Sequence, residues 1–156
     1  VEVMGRHAGD LALYVGMAVG ATAVLVPEEM FDFEAHVAEK IRRARLGGKT
    51  NFMIVVAEGA ASAVEVGRQI QEELGLDPRV TILGHIQRGG SPTAKDRVMA
   101  TRMGYEAVHL LAAGKTNRVV CARGDSIVDV DINDGLAMHK TLNSEEYEVM
   151  EAMTGI

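Results

Sequence analysis

Two kinds of apolar pattern alternate along the chain. Short, almost unbroken apolar runs predict buried strands, and they cover residues 1–4, 23–26, 52–56, 80–83 and 118–121. Apolar positions three and four residues apart predict helices, and these cover residues 10–19, 34–46, 63–74, 92–113 and 145–153. Strands and helices that alternate in this way favour an α/β fold with a mostly parallel sheet between helical layers.

The ends of the predicted helices carry recognisable signals. Asp10 is well placed at the start of the first helix, and Gly75 follows the third. Ser91 is predicted to cap the fourth helix and Pro92 to begin it, because proline suits the first helical position. The pair Gly47-Gly48 is expected to close the second helix.

Composition narrows the class of protein. The chain has 156 residues, of which 47% are hydrophobic and 24% charged, as expected of one globular domain. A net charge of -6 argues against a general nucleic-acid binder, which needs a basic face. Cys121 is the only cysteine, which excludes a disulfide framework and fits a reducing compartment. No apolar run is long enough for a membrane span, and the opening VEVMGR predicts a piece of a longer protein.

Chemically distinctive residues follow three of the predicted strands. Gly5 and Arg6 follow the first strand, Glu58 follows the third, and His85 and Arg88 follow the fourth. The carboxyl ends of parallel strands share one edge of a sheet, and ligands bind at that edge. We therefore expect these five residues to converge at one side of the sheet.

The residue types favour an anionic ligand that carries hydroxyl groups. Arg88 offers a planar set of donors suited to a phosphate, His85 adds a further donor, and Glu58 can accept from sugar hydroxyls. Gly89-Gly90 leaves backbone amides unshielded before a helix N-terminus, which attracts anions. Taken singly, the histidine also fits a packed side chain, the arginine a surface charge and the two glycines a turn. The residues alone thus predict a phosphate-ligand site on an α/β domain.

The other motifs in the sequence give less evidence of function. DVDIND, at residues 129–134, looks like a cation loop but lacks the glycine and final glutamate of an EF-hand. The dinucleotide fingerprint and the P-loop are both absent, and no metal site is predicted. The remaining histidines show no ligand spacing and are interpreted as structural or solvent-facing; they are His7, His36, His109 and His139.

Three longer strings together resemble bacterial-type ATP-dependent 6-phosphofructokinases. They are VEVMGRHAGD at residues 1–10, VVAEG at 55–59 and RVTILGHIQRGGSPTAKDR at 79–97. The resemblance covers essentially the whole chain and implies the C-terminal half of such an enzyme, with a three-layer α/β/α fold and the N-terminal nucleotide domain absent. It further implies a sugar-phosphate domain over 1–88, a segment over 89–137 that packs with the missing domain, and a returning helix over 138–156.

The resemblance implies a reaction and a set of site residues. The family transfers the terminal phosphoryl group of ATP, with Mg²⁺, to the 1-hydroxyl of fructose 6-phosphate in glycolysis, giving fructose 1,6-bisphosphate. Met4 and Gly5 would line the sugar pocket, and Arg6 would stabilise charge on the transferred phosphoryl group. Glu58 would hold sugar hydroxyls. His85 and Arg88 would bind the 6-phosphate, and Arg79 would reach into a neighbouring subunit of a cytoplasmic homotetramer.

The resemblance also implies what this chain does not contain. The family's catalytic aspartate lies in a TIDND-type motif, and its nucleotide loops are rich in glycine; neither occurs in this sequence. ATP and Mg²⁺ would bind mainly to the missing half, so the isolated chain is expected to be inactive. No nucleic-acid or membrane partner is expected.

The resemblance also implies positions for an effector site, and three alternative functions stay open. Allosteric family members bind ADP or phosphoenolpyruvate, and the matching positions here are Gly20, Thr22 and Lys49. Thr22 stands where those members have an acidic residue, and an expected lysine falls at Gly47.

The alternative functions are a pyrophosphate-dependent relative, a non-catalytic sugar-phosphate-binding subunit and an unrelated nucleotide-binding α/β module. The presence of Arg6 argues against the non-catalytic subunit.

Overall fold

The computed structural model describes residues 1–139 and 141–154, which form two compact units. Unit 1 comprises residues 1–89 and the C-terminal segment that follows residue 140, and unit 2 comprises Gly90–His139. The strands are β1 (Glu2–Val3), β2 (Ala23–Leu25), β3 (Ile54–Ala57), β4 (Arg118–Arg123) and β5 (Ser126–Asp131). The α-helices are α1 (Asp10–Val19), α2 (Glu39–Leu46), α3 (Ala63–Leu74), α4 (Ala94–Ala112), α5 (Ile132–Ala137) and α6 (Ser144–Thr154). A π-helical turn (Glu34–Ala38) leads into α2, and a 3₁₀-helix (Gly84–Arg88) precedes α4.

Unit 1 is built on a parallel sheet with the strand order β1-β3-β2. Consecutive side chains of a strand point to opposite faces, and the two apolar clusters of this unit divide accordingly. Val24 and Val55 belong to the cluster that includes Leu13 of α1 and Met150 of α6. Leu25 and Val56 belong to the cluster that includes side chains of α2 and α3. Helices therefore cover both faces of the sheet, and the predicted α/β/α layering is confirmed.

The expected buried strand over residues 80–83 is wrong. Only Ile82 forms a bridge, to Glu2 of β1, and the side chains of Val80 and Ile82 are 41% and 53% exposed. The backbone of Gly84 then adopts φ 53°, a left-handed conformation that glycine tolerates, and the chain turns into the 3₁₀-helix. The run is short because it lies at the edge of the sheet, where few side chains cover it.

Unit 2 contains a hairpin of which the sequence predicted only the first strand. β4 and β5 pair antiparallel, with Arg118 opposite Asp131 and Arg123 opposite Ser126. Asp131, at the end of β5, caps α5 by accepting the N–H of Asn133 at 2.9 Å. The DVDIND string is thus a strand end and a helix cap. Within the described residues, no group of three or more His, Cys, Asp or Glu side chains could hold a metal ion.

The start of α4 differs from the prediction as well. Thr93, and not Ser91, is the N-cap: its Oγ1 accepts the N–H of Asp96 at 3.3 Å, and Asp96 Oδ2 accepts the N–H of Thr93 at 2.8 Å. This reciprocal capping box satisfies two helix-end donors at once. The helix consequently begins at Ala94, beyond Pro92.

Helix α4 has two apolar faces. The face that bears Met99, Met103 and Leu110 is half-buried or buried, in a helix that packs against β4 and β5. The large apolar side chains of the opposite side are exposed, among them Val98 and Tyr105. No helix in residues 1–139 or 141–154 is both long and apolar enough to cross a membrane.

Candidate functional site

A tight turn follows β1 and holds Arg6 in an unusual backbone conformation. The N–H of Ala8 donates to the carbonyl oxygen of Gly5 at 2.9 Å, which closes the turn. Arg6, within this turn, has φ 55°, in the left-handed region. That conformation costs about 1–2 kcal/mol for a residue with a Cβ, so the surroundings must stabilise it.

Glu58, directly after β3, supplies part of that stabilisation. Its Oε1 accepts the N–H of Arg6 at 2.9 Å and that of Gly5 at 3.4 Å. Its own N–H donates to the carbonyl oxygen of Val3 at 3.0 Å, which continues the β1–β3 pairing. The carboxylate was predicted to bind sugar hydroxyls; in the structure one of its oxygens binds the backbone of the Arg6 turn.

Gly59 allows the turn to approach β3. A Cβ on Gly59 would overlap the carbonyl oxygen of Arg6. Gly59 was not predicted as a site residue, because a single glycine after a strand most often marks a turn. The VVAEG string was the only available signal, and it pointed to the neighbouring glutamate.

Gln87 connects the turn to the 3₁₀-helix. Its Oε1 accepts the backbone N–H of Met4 at 2.8 Å, across 83 residues of sequence. The same short helix carries His85 and Arg88, and it packs beside β1. Gln87 therefore ties the segment with the predicted phosphate ligands to the segment with the predicted sugar ligands. It was not predicted as a site residue.

Three cationic or titratable side chains of these segments are available to a ligand. They belong to Arg6, His85 and Arg88, all of which are exposed. Within the part of the chain that the structure describes, none of these three side chains forms an ion pair or a hydrogen bond. Charged donors without an internal partner are suited to an anion, because charge-assisted hydrogen bonds to phosphate oxygens are among the strongest in proteins.

Arg79 does not join this group. Its side chain is 92% exposed and lies 3.7 Å from the carboxylate of Asp77. It lines a separate cleft of about 410 Å³, whose wall also includes Thr50, Asn51 and Phe52. Its assignment to a neighbouring subunit's site remains a prediction.

The three predicted effector residues have structural roles in unit 1. Gly20 ends α1 in a left-handed conformation. Thr22 is 4% exposed, and its Oγ1 accepts the N–H of Met53 at 3.4 Å. The backbone of Lys49 donates to Ala44 after α2, and the residue is exposed. The effector assignment also remains a prediction.

Comparison with known proteins identifies the family. Residues 1–111 match the family described as Phosphofructokinase. The chain belongs to the phosphofructokinase family. The resemblance predicted from the three motif strings is thereby confirmed.

The similar proteins are bacterial enzymes and a yeast structure. The ATP-dependent 6-phosphofructokinase of Bacillus thuringiensis (strain Al Hakam) is 47% identical over 154 residues, which cover 99% of this chain and 48% of that protein. The enzyme of the same name from Bacillus anthracis (strain A0248) gives the same values. The structure of phosphofructokinase from Saccharomyces cerevisiae matches with a TM-score of 0.76 and 32% identity, over 97% of this chain and 21% of that one. The chain thus spans about half the length of the curated relatives it matches.

Proposed function

We propose that this chain supplies the fructose 6-phosphate-binding half of an ATP-dependent 6-phosphofructokinase. The whole enzyme would transfer a phosphoryl group from Mg-ATP to the 1-hydroxyl of the sugar phosphate and yield fructose 1,6-bisphosphate. Membership of the family and the names of the bacterial relatives support this proposal. Those names also favour ATP over pyrophosphate as the phosphoryl donor.

One observation carries the assignment of the site. The Arg6 turn is bound by Glu58 and is tied through Gln87 to the segment of His85 and Arg88. A ligand with a phosphate at one end and hydroxyls at the other matches such an arrangement. His85 and Arg88 bind the 6-phosphate, and the guanidinium can donate two parallel hydrogen bonds to its oxygens.

Arg6 acts at the reacting end of the sugar. Its backbone is held by Glu58 and by contact with Gly59, so the guanidinium extends from a fixed point. A fixed donor needs little reorganisation when charge develops on the transferred phosphoryl group, which is how such groups lower the barrier. Glu58 Oε2 accepts from a sugar hydroxyl while Oε1 keeps the turn in place, and Met4 and Gly5 form the pocket wall.

The metal and the nucleotide are assigned to the half of the family's length that this chain does not cover. The described residues contain no cluster of side chains suited to a divalent cation. The chain alone is expected to bind the sugar phosphate and to show no turnover in a coupled kinase assay. A cytoplasmic homo-oligomer, in which Arg79 completes a neighbour's site and ADP or phosphoenolpyruvate acts as effector, belongs to the same proposal.

Calorimetric titration of the 156-residue chain with fructose 6-phosphate tests the site. Arg88→Ala should weaken binding about 10- to 150-fold, because a hydrogen bond to a charged group contributes about 1.5–3 kcal/mol. Arg45→Ala is the matched control, since Arg45 is also exposed but lies at the end of α2. Equal affinity of the wild type and Arg88→Ala would remove the phosphate assignment. Turnover by the isolated chain would contradict the assignment of the nucleotide and the metal to the other half of the enzyme.

A further inference from the structure

The hydrogen-bond ladder on the outer side of β1 ends in an unusual way. The N–H of Glu2 donates to the carbonyl oxygen of Thr81 at 2.8 Å, and the N–H of Leu83 donates to that of Glu2 at 3.1 Å. In a regular parallel ladder the next donor, the N–H of Met4, would bind the carbonyl oxygen of Leu83. The turn at Gly84 interrupts the strand, and the Oε1 atom of Gln87 accepts from Met4 instead.

Side chains therefore bind three consecutive backbone amides at the end of β1. Gln87 accepts from Met4, and Glu58 accepts from Gly5 and Arg6. The two acceptors come from different segments, one after β3 and one in the 3₁₀-helix. The Arg6 turn is thus held from two sides, and its position depends on both.

We propose that Gln87 is a positioning residue that couples the Arg6 turn to the segment of His85 and Arg88. Its amide oxygen replaces the backbone acceptor that the sheet lacks at this point, and it sets the distance between the two ends of the ligand site. The consequence for binding rests on the proposed function; the mechanical coupling does not.

The neutral amide matters for the chemistry of the site. A glutamate at position 87 would offer the same acceptor to Met4, but it would place a negative charge one residue from Arg88. Such a charge opposes the binding of an anionic ligand, whereas the amide oxygen accepts without a net charge. Gln87 therefore meets a structural need without weakening the attraction for phosphate.

Amide hydrogen exchange, followed by NMR on the 156-residue chain, tests the coupling without any ligand. Gln87→Met has a side chain of similar length but no strong acceptor, so exchange of the Met4 amide should accelerate about 2- to 12-fold, the range for one net hydrogen bond. Gln87→Glu should restore the protection. Gln71→Met, an exposed glutamine in α3, is the matched control and should change nothing at Met4. Unchanged exchange at Met4 in Gln87→Met would overturn the proposal.

Titration with two probes tests the consequence for binding. Fructose 6-phosphate would span both segments, whereas inorganic phosphate is too small to do so. Gln87→Met should weaken fructose 6-phosphate binding about 2- to 12-fold and leave phosphate binding unchanged. Equal weakening for both probes, or no weakening for either, would overturn the positioning role. If the wild type binds no fructose 6-phosphate, the proposed function of this chain fails, and the exchange experiment still decides the role of Gln87.

Discussion

Replacing Gly59 by alanine should disturb the Arg6 turn without touching any ligand-binding side chain. Gly59 lies against the carbonyl oxygen of Arg6, and an added Cβ would overlap that atom. Gly59 is not in the left-handed region, so alanine there is not strained by its own backbone. The whole effect should therefore come from the collision.

The size of the effect follows from how the collision can be relieved. Either β3 shifts, which overpacks the core at a cost of about 1–3 kcal/mol, or the turn moves away and loses the hydrogen bonds to Glu58. These bonds are exposed, so each lies toward the low end of the range of about 1.5–3 kcal/mol for charged acceptors. Moving the turn also releases the strain at Arg6, which offsets part of the loss. We expect the free energy of unfolding to fall by about 1–2 kcal/mol.

Denaturant unfolding at constant m-value measures this loss, and titration with fructose 6-phosphate measures the consequence for the site. Gly47→Ala is the control in the same unit: its φ is -76°, and its added Cβ would lie 3.4 Å from the nearest oxygen, that of Ala44. That variant should be neutral or more stable by up to about 1 kcal/mol. If Gly59→Ala differs from the wild type by less than about 0.5 kcal/mol and binds the sugar phosphate equally well, the inferred packing of the Arg6 turn is wrong.

Three further predictions concern other parts of the chain. Thr93→Ala should destabilise unit 2 by about 0.5–2 kcal/mol in denaturant unfolding, because it removes the cap of α4, whereas Ser91→Ala should have no measurable effect. The hydrogen bond from Arg118 lowers the pKa of Asp129, so the stabilisation from this pair is present above the unfolded-state pKa of about 4 and is lost as the pH falls through the folded-state value. NMR titration should find the Asp129 pKa higher in Arg118→Ala; an unchanged value would contradict the pairing. Burial, with Glu151 and Glu29 nearby, raises the pKa of Tyr147 to about 12. The free energy of unfolding should therefore be constant up to about pH 10, the unfolded-state pKa of tyrosine, and should decline above it. Tyr147→Phe should remove that decline.

The sequence predicted the helices of unit 1 well because local signals define their ends. The observed bounds of α1 and α3 match the predicted ranges. Asp10 begins the first of these helices, and Gly75 ends the second, as predicted. Each of these signals lies within a few residues of the element it delimits, so no knowledge of the tertiary structure was needed.

The sequence failed where the outcome depended on a distant or one-sided contact. Residues 80–83 have the apolar character of a buried strand, but no strand lies on their outer side within the described residues, and only one bridge forms. The apolar residues of strand β5 are interrupted by Asp129 and followed by Asp131, and a search for unbroken apolar runs overlooks that pattern.

The ligand-type residues of the site were visible, but the residues that hold them were not. Arginine and histidine after strand ends point to an anionic group of the ligand, and the glutamate points to its hydroxyl groups. Gln87 acts through a bond to a residue 83 positions away, and Gly59 through the space that its missing side chain leaves. Neither role can be read from residue type, because glutamine and glycine occur in most loops.

The position of α6 bears on how the chain folds as it is synthesised. Met150, from this last described helix, is 1% exposed and belongs to the same apolar cluster as Val3 and Leu13. A ribosome makes Val3 and Leu13 long before Met150. Helix α1 can already pack on this face of the sheet, but the part of the cluster that α6 covers stays exposed until α6 has been made. The helices and strands of unit 2 are neighbours in sequence, so this unit can fold before α6 has been made. Until α6 is made, the apolar residues of unit 1 that it covers remain exposed, and we expect a chaperone to bind the nascent chain there.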